Sequence, residues 1–392
     1  MAIPRLKDYQ GPALLSYGYR PFFFFGALYA GLSVLLWIPL FYGELSLMTA
    51  FTGVDWHVHE MFFGFLAAVV TGFLFTAIPN WTGRMPIQGM PLLLLLLLWM
   101  AGRAAVTFSG QIGWIAAMAI DLSFLGTILA VLANEIIVGK NWRNLKVLLP
   151  LSLLLLANIC FHLEVHFSGS SGYSYRLAMT AAISLIMLIG GRIIPSFTRN
   201  WLVQNNPGRL PAPISKFDML TIAVTVSALI LWIAIDLDLV SGVLLFIAAG
   251  LQFIRLIRWG GERSIREPLV LILHLSYFFI PLGLALLGIA GVFPDYFSPL
   301  AGIHALGTGA IGCMTLSVML RAALGHSGQK LRSGFRANTI FLLILLSAST
   351  RIVAEFMGDY YGPLLQLAAL SWFLAFAGFS IGYSPLFFKP RA

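Results

Sequence analysis

The chain has only two cysteines, Cys160 and Cys313, in 392 residues. That excludes a disulfide-stapled scaffold and the cysteine clusters that hold iron–sulfur centres. Charge is also scarce: Asp, Glu, Lys and Arg make up 10% of the residues, where a soluble globule carries about a quarter. No Walker loop, no GxGxxG after a strand pattern and no CxxCH motif occurs. Nucleotide hydrolysis, dinucleotide binding and covalent haem attachment therefore have no support. Low-complexity tracts are absent apart from the leucine run at 92–98, and no convincing internal repeat is evident.

What the chain has instead is apolar surface. Hydrophobic residues make up 59%, with 31 Phe, 10 Trp and 12 Tyr, as expected of rings facing lipid or its boundary. Apolar runs fall at 21–42, 57–79, 90–109, 112–138, 147–167, 174–194, 217–236, 239–259, 268–291, 298–321, 337–357 and 362–387. At ~20 residues per crossing these predict about twelve transmembrane helices and leave no room for a soluble domain. The expected fold is an all-α polytopic membrane protein, one bundle forming a single integral domain over 1–392. The first run is too long for a signal-peptide core and lacks a cleavage site, so it is expected to be a retained span.

The net charge of +9 takes its meaning from position. Arg5, Lys7 and Arg20 precede or open the first run. Alternate loops then hold Arg84; Lys140, Arg143 and Lys146; Arg199, Arg209 and Lys216; Arg263 and Arg266; Lys330, Arg332 and Arg336; Lys389 and Arg391 close the chain. The intervening loops hold none, and carry or border Glu44, Asp55, Asp236, Asp238, Asp295 and Asp359. This asymmetry predicts cytoplasmic N- and C-termini. The basic surplus is topological, and no nucleic-acid partner is expected. Cys160 and Cys313 fall at depths too different for a disulfide.

Function is sought among polar groups that hydrocarbon should exclude. His57 and His59 open the second run, His162 and His166 close the fifth, and His304 lies two turns into the tenth, all at one approximate depth at the outer ends. Imidazoles from separate helices at one depth are how bundles build haem or copper sites. The plainer alternative is interfacial side chains bonded to water or backbone. Residues four apart share a helix face, which groups His162 and His166 with Asn158. His57 and His59 can face one site only if His57 precedes the regular helix, with Asp55 as cap. Glu60 and Glu164 are candidates to orient an imidazole or carry protons. His274, on the inner side, is a candidate second ligand or a proton-route residue. His326 lies too far along the tenth helix from His304, about 33 Å, to share a metal with it.

Arg103 and Asp121 fall at similar depth, and Arg351 precedes Glu355 by one turn. Both look like neutralising pairs, with a counter-charge for haem propionates as the functional alternative for the arginines. After His304 come Ala305, Gly307, Thr308, Gly309, Ala310 and Gly312, small residues that suit either close helix packing or space for a flat macrocycle.

These residues carry a resemblance. Gly-Tyr-Arg-Pro-Phe-Phe at 18–23, Trp56-His57-Val58-His59-Glu60-Met61, Asn80-Trp81-Thr82-Gly83, the stretch from Gly190 to Thr198 and the run from His304 to Gly328 resemble the NnrS family nearly end to end. The resemblance implies a bacterial inner-membrane protein containing haem, of b type, and copper, associated with nitric oxide metabolism and nitrosative-stress tolerance. It points to His57, His59, His304, His326, His274 and His162 as ligand positions; His166 joins them as a metal candidate by spacing alone. The expectation is nitric oxide binding at an iron and its reduction to nitrous oxide, with a membrane quinol as electron donor. The alternatives are a proton-coupled secondary transporter, or a haem protein that binds nitric oxide without turnover.

Overall fold

The computed structural model describes residues 9–391; Arg5 and Lys7 lie outside the described residues. Among the described residues the regular structure is helical, without strands. Twelve helices are long and apolar enough to cross a membrane: α1 (Tyr19–Phe41), α2 (Gly53–Thr82), α3 (Met90–Thr107), α4 (Trp114–Val138), α5 (Trp142–Ser168), α6 (Tyr173–Asn205), α7 (Lys216–Ile235), α8 (Leu239–Ile257), α9 (Pro268–Val292), α10 (Leu300–His326), α11 (Phe335–Ala354) and α12 (Gly358–Gly382). The chain is thus a multi-pass membrane protein.

Local chemistry sets several of these boundaries. Thr52 caps α2 by accepting the Asp55 N–H at 3.1 Å, and Gly83 ends it in the left-handed conformation, φ 72°, which a side chain would strain. Asp238 caps α8 by accepting the Ser241 N–H at 2.8 Å, a bond that holds its carboxyl below the usual range. Pro268 opens α9 at a position where a missing N–H costs nothing.

Two spans contain π-helical stretches. In α2 the stretch Glu60–Leu66 is π-helical, and in α10 so is Ala305–Cys313. Each run begins directly after a histidine, His59 or His304. Gly64 and Gly309 follow their histidines by five residues, and the left-handed glycines Gly83 and Gly328 follow by 24. The next span carries a buried arginine in each case, Arg103 or Arg351. The same device is therefore used twice, a correspondence too sparse in residue identities to stand out in the bare sequence. A π turn inserts a residue and re-aims the side chains around it, and such turns concentrate at functional sites.

The packing resolves into two compact units. One takes the described residues up to Ala178, Met319–Lys330 and the described residues from Phe376 onward; the other takes Met179–Val318 and Leu331–Ala375. In the second unit, α8 and α9 meet at glycines: a Cβ on Gly242 would lie 2.9 Å from the Gly288 carbonyl, so only small residues permit this approach. In α10, Cβ atoms on Gly309 and Gly312 would lie 2.4 Å from Phe279 and Trp372 respectively. At these two positions the small residues accommodate neighbouring rings. Gly307 is less crowded, with only the Met179 methyl near, at 3.9 Å.

Candidate metal centre

The first unit brings together buried ionisable groups from four spans. From α2 come His59 and Glu60, both fully buried. Arg103 of α3, Asp121 of α4, and Asn158 and His162 of α5 complete the group, all buried. These residues fall on the inward stripes of their helices, and the π turn after His59 lets two adjacent residues of α2 serve one site. Gly64 makes the arrangement possible, because a Cβ there would lie 2.7 Å from Glu60 Oε2 and 3.0 Å from an Arg103 nitrogen.

Asp121 is the hub. Its Oδ2 lies 3.2 Å from His59 Nε2 and 3.2 Å from His162 Nε2, and accepts from Asn158 Nδ2 at 2.8 Å. Its Oδ1 accepts from Arg103. His59, Asp121 and His162 each offer a ligand atom, all within 4.8 Å of one another, which is a group able to hold a metal ion. The other nitrogen of His59, Nδ1, meets Glu60 Oε1 at 3.0 Å. A carboxylate on the far side of a ligating imidazole fixes its tautomer and raises its basicity, the usual support for a metal-bound histidine. Glu60 is held in turn by Arg103, at 2.8 and 2.7 Å to its two oxygens, and by the Tyr29 hydroxyl.

Charge counting gives an independent reason to expect a cation. Two carboxylates face one guanidinium, leaving one uncompensated negative charge in a buried place, where an unpaired charge is costly. A metal ion or a proton on an imidazole supplies the balance.

The histidines expected to share one depth do not form one cluster. α2 starts at Gly53, capped by Thr52 instead of Asp55, so His57 lies inside regular helix and points away from His59. It stacks on Trp37 at 4.4 Å between ring centroids. His166 is exposed and stacks on Trp114 at 4.1 Å. Glu164 receives the N–H groups of Tyr173 and Ser174, each at 2.9 Å, and so caps α6 in place of orienting an imidazole. Asp55 likewise ties Ser171 to the start of α2. His326 packs against Tyr17 and Tyr19 in the first unit.

The remaining candidates lie in the second unit. His304 is half-buried, and its Nδ1–H donates to the Leu300 carbonyl at 2.8 Å, which makes Nε2 the basic nitrogen. His274 is buried and bonds Thr198 through Nε2 at 2.8 Å, while its buried Nδ1 has no hydrogen-bond partner among the described residues. Arg351 pairs with Glu355 at 2.5 Å.

Sequence reasoning missed the junction of Asp121 with the histidines, having paired it with Arg103 alone. It also missed Tyr29 and Gly64. The available signal was the spacing of Asn158 and His162, one helical turn apart, together with Asp121 well inside the apolar run of the preceding helix.

The fold and this group define a polytopic helical membrane protein with a buried imidazole–carboxylate centre. Residues 13–391 match the NnrS protein family, and the chain belongs to that family. No curated protein matches it.

Proposed function

We propose that this chain is a haem- and metal-containing protein of the bacterial inner membrane that binds nitric oxide and reduces it to nitrous oxide, protecting the cell from nitrosative stress. The observation that carries the reading is the Glu60–His59–Asp121–His162 arrangement, a metal-ligand set with its supporting carboxylate already in place. His304, with Nδ1 committed to the backbone, supplies a nitrogen suited to haem iron in the second unit. The NnrS resemblance implies haem and copper as the cofactors.

The overall conversion balances as two nitric oxide molecules, two electrons and two protons giving nitrous oxide and water. A bound metal supplies a site for the gas and stabilises charge on its oxygen. The protein's part is to hold the ligand imidazoles, to keep Glu60 and Tyr29 hydrogen-bonded as a proton-holding pair beside His59, and to exclude water through burial. Membrane quinol is the proposed electron donor.

The test is optical and metal analysis of purified protein, followed by nitrous oxide release with a quinol donor. A Soret band lost in His304→Ala, together with turnover, supports the reading. Protein without pigment or transition metal overturns it, and pigment without turnover favours a nitric oxide sink.

A further inference from the structure

The metal-ligand group of the first unit has a donor set more specific than a generic cation site. We propose that it is a mononuclear non-haem iron(II) centre, with His59 Nε2, His162 Nε2 and Asp121 Oδ2 as its protein ligands, and that it binds an uncharged diatomic gas directly. This rests on the metal-centre reading above and departs from copper at this place.

Geometry comes first. Two donors held ~2.1 Å from one cation lie about 3.0 Å apart at a right angle and about 3.4 Å apart at the tetrahedral angle. Asp121 Oδ2 stands 3.2 Å from each imidazole nitrogen, within the range a shared ion imposes. The two imidazole planes are inclined at 76° with centroids 5.1 Å apart, so the rings approach Asp121 from distinct directions.

Donor chemistry comes second. Two imidazoles and one carboxylate, leaving coordination positions open, form the ligand set associated with non-haem iron(II). Copper(I) prefers thiolate, yet the convergent group contains no cysteine among the described residues. Glu60 is not a fourth ligand, because its Oε1 meets His59 at Nδ1, the nitrogen opposite the proposed ligand atom, and its Oε2 is held by Arg103 and Tyr29. The carboxylate count stays at one.

The surroundings set the class of ligand. Phe51 packs on both imidazoles, at 5.2 Å from His59 and 5.3 Å from His162, and Phe63 and Phe161 pack on His59 at 4.9 and 5.3 Å. The polar neighbour Asn158 is already engaged, its amide nitrogen donating to Asp121 Oδ2 at 2.8 Å and its oxygen 3.1 Å from His59 Nε2. The three aromatic rings give no hydrogen bond to a polar or anionic ligand, whereas a neutral diatomic needs none. Nitric oxide binds here as a ligand to the ferrous ion, with no bond broken.

The experiment uses full-length protein in detergent, purified without oxygen, and compares total iron with haem iron and copper. The expected result is about one iron per chain beyond haem iron, retained in His304→Ala, with a high-spin iron nitrosyl signal in paramagnetic resonance when nitric oxide is added. Asp121→Asn and His162→Gln lose that iron and that signal while keeping wild-type elution. Wild-type protein stripped by chelator and titrated with ferrous ion recovers both, which keeps the test independent of whether the variants fold. Iron fully accounted for by haem, or copper lost from the variants in place of iron, overturns the assignment while leaving the metal-centre reading standing. Wild-type protein with no metal dependent on Asp121 overturns both.

Discussion

Each unit contains a buried arginine tied to acids, and the two networks differ in their charge balance. In the first unit Arg103 faces Glu60 and Asp121, with two imidazoles against Asp121. In the second, Arg255 faces Asp218 at 3.1 Å, donates to the Tyr277 hydroxyl at 2.8 Å, and leans on Trp259. The chain of bonds continues from Tyr277 to Gln252 and from Gln252 to Thr225, and Arg258 adds a second cation 3.7 Å from Asp218. The Arg255 network has no excess of negative charge and, among the described residues, no imidazole bonded to it. It reads as internal support: polar groups satisfied against one another so that α7, α8 and α9 keep register. The Arg103 network has one negative charge too many and two nitrogen donors aimed at it. Burial of charge alone does not mark a site; an excess of negative charge beside convergent imidazole nitrogens does.

The sharpest way to break this contrast is to remove the arginines. Arg103→Met leaves two buried carboxylates without their cation and is expected to cost about 3–5 kcal/mol, seen as a large fall in thermal midpoint in detergent. Arg255→Met is expected to cost less, since Arg258 remains near Asp218, and adding Asp218→Asn should recover most of the loss. Equal losses in the two single variants would erase the distinction.

Asp121→Asn tests the deficit itself. It leaves Arg103 balanced by Glu60, so folding should survive while metal beyond haem iron falls to background by elemental analysis. Metal retained at the wild-type level would mean that Asp121 is structural, like Asp218. Glu60→Gln keeps the shape but weakens support of His59, and metal affinity is expected to drop about 10–100-fold in a chelator competition. The smallest effect belongs to the stacked histidines: His57→Ala and His166→Ala should leave metal content unchanged and cost no more than about 0.5–1.5 kcal/mol of ring contact. Metal loss in either would return that residue to the ligand set.

Much of the architecture was legible in the sequence, because a hydrocarbon solvent forces every span to be apolar and helical and so writes each one as a run. The helix ends were less legible. α2 begins at Gly53, four residues before the apolar run it carries, since Thr52 caps a polar first turn that hydropathy cannot see. That displacement decides the fate of His57. Helical spacing placed His162 beside Asn158, but could not say that the same face meets Asp121, because partners across helices depend on rotation and packing.

The sequence by itself determined that this is a twelve-span membrane protein with histidines and acids at places where lipid excludes them, since solvent preference acts residue by residue. Only the tertiary structure decided which of those groups meet. Contacts among α2, α3, α4 and α5 depend on how each helix is turned, and a single π turn after His59, given room by Gly64, aims two adjacent side chains of one helix into the same buried centre.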